Sequence, residues 1–253
     1  MTETILAEVT DYPVTWEILP PDFELPDDPV ENLDHPTLAN DLLELLLAAG
    51  LITEFVIVAS NFGLCARVAG KMVVKAPDWV YIPFAQPVPP GKIRRSYTPH
   101  AEGDFPSVVM EFLSDNDNGE YSVKPTYPYG KWWFYERILK VPKYVIFDPS
   151  SGRVEVYELK SGRYSPQIPD ANGRYWIPGV NLFLGVWQGS KEQRTGYWLR
   201  WWDSDGNMLL WRSEKSALQQ QQLERQGQQL ERLLELLRRA GVSDRDLDLD
   251  NLS

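Results

Sequence analysis

The sequence predicts an α/β chain that ends in a long helix, and three observations predict it. The run Val108-Val109-Met110-Glu111-Phe112-Leu113-Ser114 is apolar on both sides of one acid, the pattern of a strand covered on both faces. A second buried strand, Tyr144-Val145-Ile146-Phe147, follows an aromatic helix at about 129–140 that contains Lys131-Trp132-Trp133-Phe134-Tyr135. Beyond Ser213, Leu223, Leu230 and Leu237 recur seven apart, with Leu233 and Leu234 between them, which is a heptad-like helical seam.

The remaining elements follow in order. Residues 1–34 are acidic and punctuated by proline; they read as an arm or lid, with a short strand within 12–19. Pro36 suits the first turn of a helix, with Asp34 or His35 near its cap. Leu38, Leu42, Leu45, Leu46 and Ala49 continue that helix, and Gly50 stops it. Short β-like runs come next at 55–59, 64–68, 72–75 and 79–82, the first two separated by Asn61-Phe62-Gly63 and the last introduced by Pro77-Asp78. Residues 83–106 read as a long Pro/Gly-rich surface loop holding Lys92, Arg94, Arg95 and His100. A polar loop spans 115–120, and Pro142 closes the aromatic helix. Ser150-Ser151-Gly152 makes a hairpin turn before an alternating strand at 153–159. A last hairpin is expected between 198–202 and 208–211 around Asp205-Gly206. The organisation is therefore an acidic arm at 1–34, a main domain at 35–212, and a helix with an acidic tail at 213–253.

Composition bounds the function. A chain of 253 residues with ten tryptophans can build one large core plus an appendage. The net charge of −11 is uneven: residues 1–66 carry 13 Asp/Glu and no Lys or Arg, whereas 67–163 carry 14 Lys/Arg against 11 Asp/Glu. That argues against a general polyanion-binding surface and leaves the middle segment as the face any nucleic acid would meet. The single cysteine, Cys65, cannot form an intrachain disulfide, which fits a reducing cytoplasm; its apolar setting suits a small buried hydrophobe better than a catalytic thiol. No apolar run is long enough to span a bilayer, and the acidic start is unlike a signal peptide, so a soluble cytoplasmic protein is expected.

One constellation carries chemistry. Asp78 starts one strand, Glu111 lies inside another, and Lys131 opens the next helix. Two acids and a lysine are the minimum kit for metal-dependent phosphodiester hydrolysis: the acids hold Mg²⁺ or Mn²⁺, and the lysine steers water and neutralises developing charge. A charged glutamate inside an apolar run costs several kcal/mol unless it is paired or metal-bound. The alternative is a Glu111–Lys131 or Glu111–Arg ion pair without catalysis. Lys92, Arg94 and Arg95 either hold phosphates or form a solvated cluster. Glu158-Leu159-Lys160 spells a nuclease-like E-x-K, but on a hairpin strand after the helix. His35 and His100 read as bland solvated residues, and neither a zinc pattern nor a glycine-rich phosphate loop is present.

Pro77-Asp78, then Val-Val-Met-Glu111-Phe-Leu-Ser114, then Lys131-x-x-x-Tyr135, then Val141-Pro142-Lys143-Tyr144-Val145-Ile146-Phe147-Asp148-Pro149 resembles the Uma-two family of restriction endonuclease-like proteins. That family is a branch of the PD-(D/E)XK nuclease superfamily, and the similarity covers roughly residues 36–185. The resemblance implies a mixed sheet flanked by helices, Asp78 and Glu111 as metal ligands, and a catalytic lysine displaced onto the helix as Lys131. It implies that Tyr135, one helical turn on, faces the same way, and that Glu44 on the first helix could be the superfamily's helix acid. The expected function is metal-dependent DNA endonuclease activity. The rival is an inactive nuclease fold serving as a protein-interaction module. For the C-terminal helix, residues 216–240 either zip two copies together or dock on their own domain.

Overall fold

The computed structural model describes residues 13–17, 34–114, 119–191 and 194–240. Most of the acidic arm, the tip of the polar loop at 115–118 and the acidic tail with Gly241 lie outside the described residues. The chain divides into two compact units, Met1–Leu209 and Leu210–Ser253, against the expected change at 212/213.

In the first unit, β1 (Val14–Thr15) is followed by α1 (Asp34–Ala48), β2 (Ile57–Ala59), β3 (Gly63–Val68), β4 (Lys71–Lys75), β5 (Trp79–Ile82) and β6 (Ser96–Tyr97). Then come β7 (Val108–Phe112), a 3-10 turn at Gly119–Tyr121, α2 (Lys131–Trp133) running into a π-helical turn at Phe134–Ile138, and β8 (Lys143–Asp148). The unit closes with β9 (Arg153–Lys160), β10 (Arg163–Pro166), β11 (Tyr175–Ile177), β12 (Leu182–Lys191) and β13 (Arg194–Trp202).

The main sheet has six strands in the order β10-β9-β8-β7-β5-β2. Only β7 and β8 pair in parallel; every other pairing in it is antiparallel, so the sheet is mixed, as expected. The aromatic helix is the crossover that a parallel pair requires. Val109, Tyr144, Ile146, Val80 and Ile82 pack with Trp133, Phe134, Tyr135, Ile138 and Leu139 of that helix in one core. On the alternate residues, Phe112 meets His35 of α1 edge-on at 5.6 Å and Trp79 meets Trp201 of β13 at 5.9 Å. Helices and a second sheet thus cover both faces of β7, whose five residues are all buried. Leu42, Leu45 and Leu46 of α1 are fully buried, matching the predicted helical stripe.

Four details differ from the sequence reading. The 83–106 loop contributes β6, which runs parallel to β3. The short strand β10 has no clear apolar alternation; it pairs antiparallel with β9, and Glu136 accepts its Tyr164 N–H at 2.7 Å and pairs with its Arg163 at 3.1 Å. The last large hairpin is β12–β13, whereas 208–211 forms no strand and meets β13 through a Trp202–Met208 bridge, a Leu209 N–H to Trp201 O bond of 2.8 Å and an Arg200 side-chain bond to the Leu209 carbonyl of 2.6 Å. The aromatic helix is a single α-turn passing into a π-turn, and it starts only after Gly130.

In the second unit, α3 (Arg212–Arg239) starts where the Glu214 carboxylate accepts the Trp211 N–H at 2.9 Å. No residue of α3 is buried, and Leu218, Leu223, Leu230, Leu233 and Leu236 are exposed. Among the described residues no helix is long and apolar enough to cross a membrane.

Gly130 sets the start of α2, because a Cβ there would lie 2.0 Å from the Ser122 carbonyl oxygen. Gly130→Ala should therefore lower stability by about 1–3 kcal/mol through overpacking, measured as a shift of the urea midpoint.

Candidate functional site

Register brings the two acids together. Trp79 of β5 pairs with Met110 of β7, so Asp78, one residue before β5, comes opposite Glu111. Asp78 Oδ2 accepts the Phe112 N–H at 2.6 Å, doing for the end of β7 what a strand backbone would otherwise do. Glu111 shares the sheet face of Val109, beneath α2. Two side chains four residues apart, Lys131 on α2 and Tyr135 on the π-helical turn that continues it, converge on it: Tyr135 donates its hydroxyl to Oε1 at 2.9 Å, and Lys131 donates to Oε2 at 3.2 Å. Asp78, Glu111, Lys131 and Tyr135, distant in sequence, thus meet in one place.

Two further residues belong to this cluster. Glu120, on the 3-10 turn, accepts a second Lys131 hydrogen bond at 3.2 Å through Oε1. His35 is buried on α1, with Nδ1 3.6 Å from Asp78 Oδ1 and Nε2 3.4 Å from the Leu113 carbonyl. The expectation of a solvated cap residue at His35 is corrected: the tilt of α1 over Phe112 brings the imidazole to the acid. No spacing signal marked Glu120, which reaches the site because a turn folds back after β7. For His35, the signal was its place just before Pro36 at the start of an amphipathic helix.

Electrostatics follow from burial. Glu111 is completely inaccessible, and burial pushes its carboxyl up to about 8, with Lys131 opposing that rise and Asp78 and Glu120 adding to it. Burial works against the Lys131 charge, yet Glu111 and Glu120 together raise the ammonium above the ordinary lysine value. Lys131, a quarter exposed, is the face the cluster turns towards solvent. Three carboxyls face one ammonium, and Glu120 Oε2 is buried with no hydrogen-bond partner among the described residues.

The donor set suits a hard cation. All the carboxyl donors are oxygens, they outnumber the local cations, and one buried oxygen lacks a partner. Among the described residues no three His, Cys, Asp or Glu side chains cage a metal by themselves. A Mg²⁺-like ion needs no such cage, since it takes one or two carboxylates and completes its shell with water and substrate oxygens.

The other sequence candidates lie elsewhere. Glu44 pairs with Lys191 at 2.9 Å, a residue that also pairs with Asp41. Arg94 is engaged by Glu102 and the Gln86 carbonyl, while Lys92 and Arg95 are exposed on the loop. Glu158 of the E-x-K pattern pairs with Lys143 at 3.2 Å and Lys160 at 2.7 Å, in an ion cluster of its own. Cys65 is fully buried and its thiol is pushed up to about 12 by burial, which suits a packing residue. His100 is exposed, edge-on to Phe105 at 4.2 Å.

The family model Uma2, described as "Putative restriction endonuclease", matches residues 21–187. No curated protein matches the chain.

Because the folded state holds the Glu111 proton up to about 8, it binds more protons than the unfolded chain between about pH 4.5 and pH 8. Its contribution to stability is therefore full below the lower bound and is lost as pH rises through the upper one. Thermal melts without divalent ions should show a falling midpoint across that window, and Glu111→Gln should flatten the fall.

Proposed function

The chain belongs to the Uma2 family, and from that premise we propose that it is a Mg²⁺- or Mn²⁺-dependent DNA endonuclease hydrolysing phosphodiester bonds. The observation that carries this reading is the convergence of Asp78, Glu111 and Lys131, with Tyr135 fixing the buried glutamate. Asp78 and Glu111 would hold the cation. When bound there, the cation supplies Lewis-acid stabilisation of the phosphoryl oxygens and acidifies a water. Lys131, kept protonated by two carboxylates, acts as a fixed positive donor towards the phosphate and the attacking water rather than as a base. Tyr135 holds Glu111 Oε1 so that the carboxyl presents one orientation. In the reaction the water oxygen bonds to phosphorus, the bond from phosphorus to the departing sugar oxygen breaks, and that oxygen takes up a proton. Lys92 and Arg95, exposed on the loop, are offered as phosphate contacts.

Asp78→Asn keeps an oxygen for the Phe112 N–H while removing the charge, so it tests chemistry apart from folding. Divalent-dependent nicking of supercoiled plasmid should fall by at least about 100-fold, with a thermal midpoint close to wild type. Nicking at the wild-type rate would reject the assignment.

A second reading has its own support: the exposed leucines of α3 and the Glu111–Lys131 ion pair, which satisfies both partners without chemistry. On that reading the fold is an inactive interaction module, dimerised through residues 216–240. Calorimetric titration with Mn²⁺ separates the two readings, since a folded protein that binds no Mn²⁺ belongs to the second. Light scattering on the full chain and on a truncation at Trp211 tests the zipper, which a monomeric full-length chain would eliminate.

A further inference from the structure

We propose that Glu120 is a positioning residue of this site, holding the Lys131 ammonium independently of Glu111; the proposal rests on the hydrolase reading above. Lys131 Nζ is the same 3.2 Å from Glu120 Oε1 as from Glu111 Oε2, so the ammonium is shared between two acids. Glu120 is itself tied down. Its carbonyl accepts the hydroxyl of Tyr144 on β8 at 2.8 Å, and its side chain is 4 % exposed. Two residues on, the Ser122 carbonyl accepts the Trp133 N–H at 3.4 Å, and Gly130 packs directly on Ser122. The turn that carries Glu120 and the helix that carries Lys131 are therefore held at one separation by backbone contacts.

The arrangement answers a problem that the chemistry creates. Glu111 serves two masters on this reading, a cation and Lys131. Once its oxygens are committed to a cation, its attraction for the ammonium is offset by like-charge repulsion from that cation. A lysine has a long flexible stem and a point-like charge, so without a second anchor the ammonium would scatter among rotamers. Glu120 is that anchor. Its other oxygen is buried and without a partner among the described residues, so no second donor draws the carboxylate away from the ammonium.

The expected signature is a loss of rate without a loss of ion binding. Glu120→Gln should lower kcat for Mn²⁺-dependent nicking of supercoiled plasmid on the order of 100-fold. KM for the plasmid and the calorimetric Mn²⁺ affinity should stay within about threefold of wild type. Amine-selective nitrogen-15 NMR reads positioning directly. The Lys131 ammonium should give a protected signal in wild type and in Asp78→Asn, and lose it in Glu120→Gln. Should Glu120→Gln fail to fold, Glu120→Asp retains the charge but withdraws it by one methylene, and an intermediate loss of rate and of ammonium protection is expected. An unchanged rate or an intact ammonium signal in the variant that folds overturns the proposal, as does a tenfold or greater loss of Mn²⁺ affinity, which would make Glu120 a ligand instead. A wild-type protein that leaves the plasmid uncut overturns the hydrolase reading and this proposal together, whereas wild-type cutting with an unaffected Glu120→Gln rejects this proposal alone.

Discussion

Everything around the candidate site depends on one costly placement: a carboxyl in the middle of β7, fully removed from water. An isolated carboxylate there would be prohibitive, so the fold surrounds Glu111 with donors. Tyr135 and Lys131 reach it only because they lie four residues apart on one helical turn, and that turn passes between β7 and β8 because those strands are parallel. The requirement for two donors above one buried glutamate thus constrains the start of α2, the glycine that precedes it and the 3-10 turn beneath it. Even so, burial dominates, and the group keeps its proton to well above ordinary carboxyl values.

The scaffold is asymmetric about this residue. On one side the aromatic residues of α2 and the π-turn form the apolar roof, and π-turns within helices often accompany functional positions. On the alternate face α1 and the three-stranded sheet supply bulk through Phe112 and Trp79. Asp78 sits where these meet, with one oxygen capping the β7 backbone and the other facing His35. A backbone cap and a contact with His35 are therefore joined in one carboxylate. The rule that local choices agree with the global fold is broken mainly at Glu111, an acid within a fully buried strand.

Other charged residues resolve into ordinary structural pairs. Glu136 holds β10 through Arg163 and the Tyr164 N–H, Glu44 and Asp41 share Lys191, and Glu158 lies between Lys143 and Lys160. Glu136 has Arg163 and Glu158 has two lysines, whereas Asp78, Glu111 and Glu120 gather around the single ammonium of Lys131. That difference separates the E-x-K pattern on β9 from the cluster under α2, although as text the former looks more like a nuclease signature.

The sequence by itself determined the buried strands, the stripe of α1, the aromatic crossover and the leucine-rich end, because period and apolar continuity are local properties written residue by residue. It also marked Asp78, Glu111 and Lys131, since charges at or beside apolar runs stand out without coordinates, and the resemblance to the Uma-two family added Tyr135. Tertiary structure alone decided that Glu120 and His35 belong with them and that Glu44 pairs with Lys191. Those outcomes depend on where a turn folds back and how a helix tilts across a sheet. Such choices are made by long-range packing, which leaves no periodic trace in the chain.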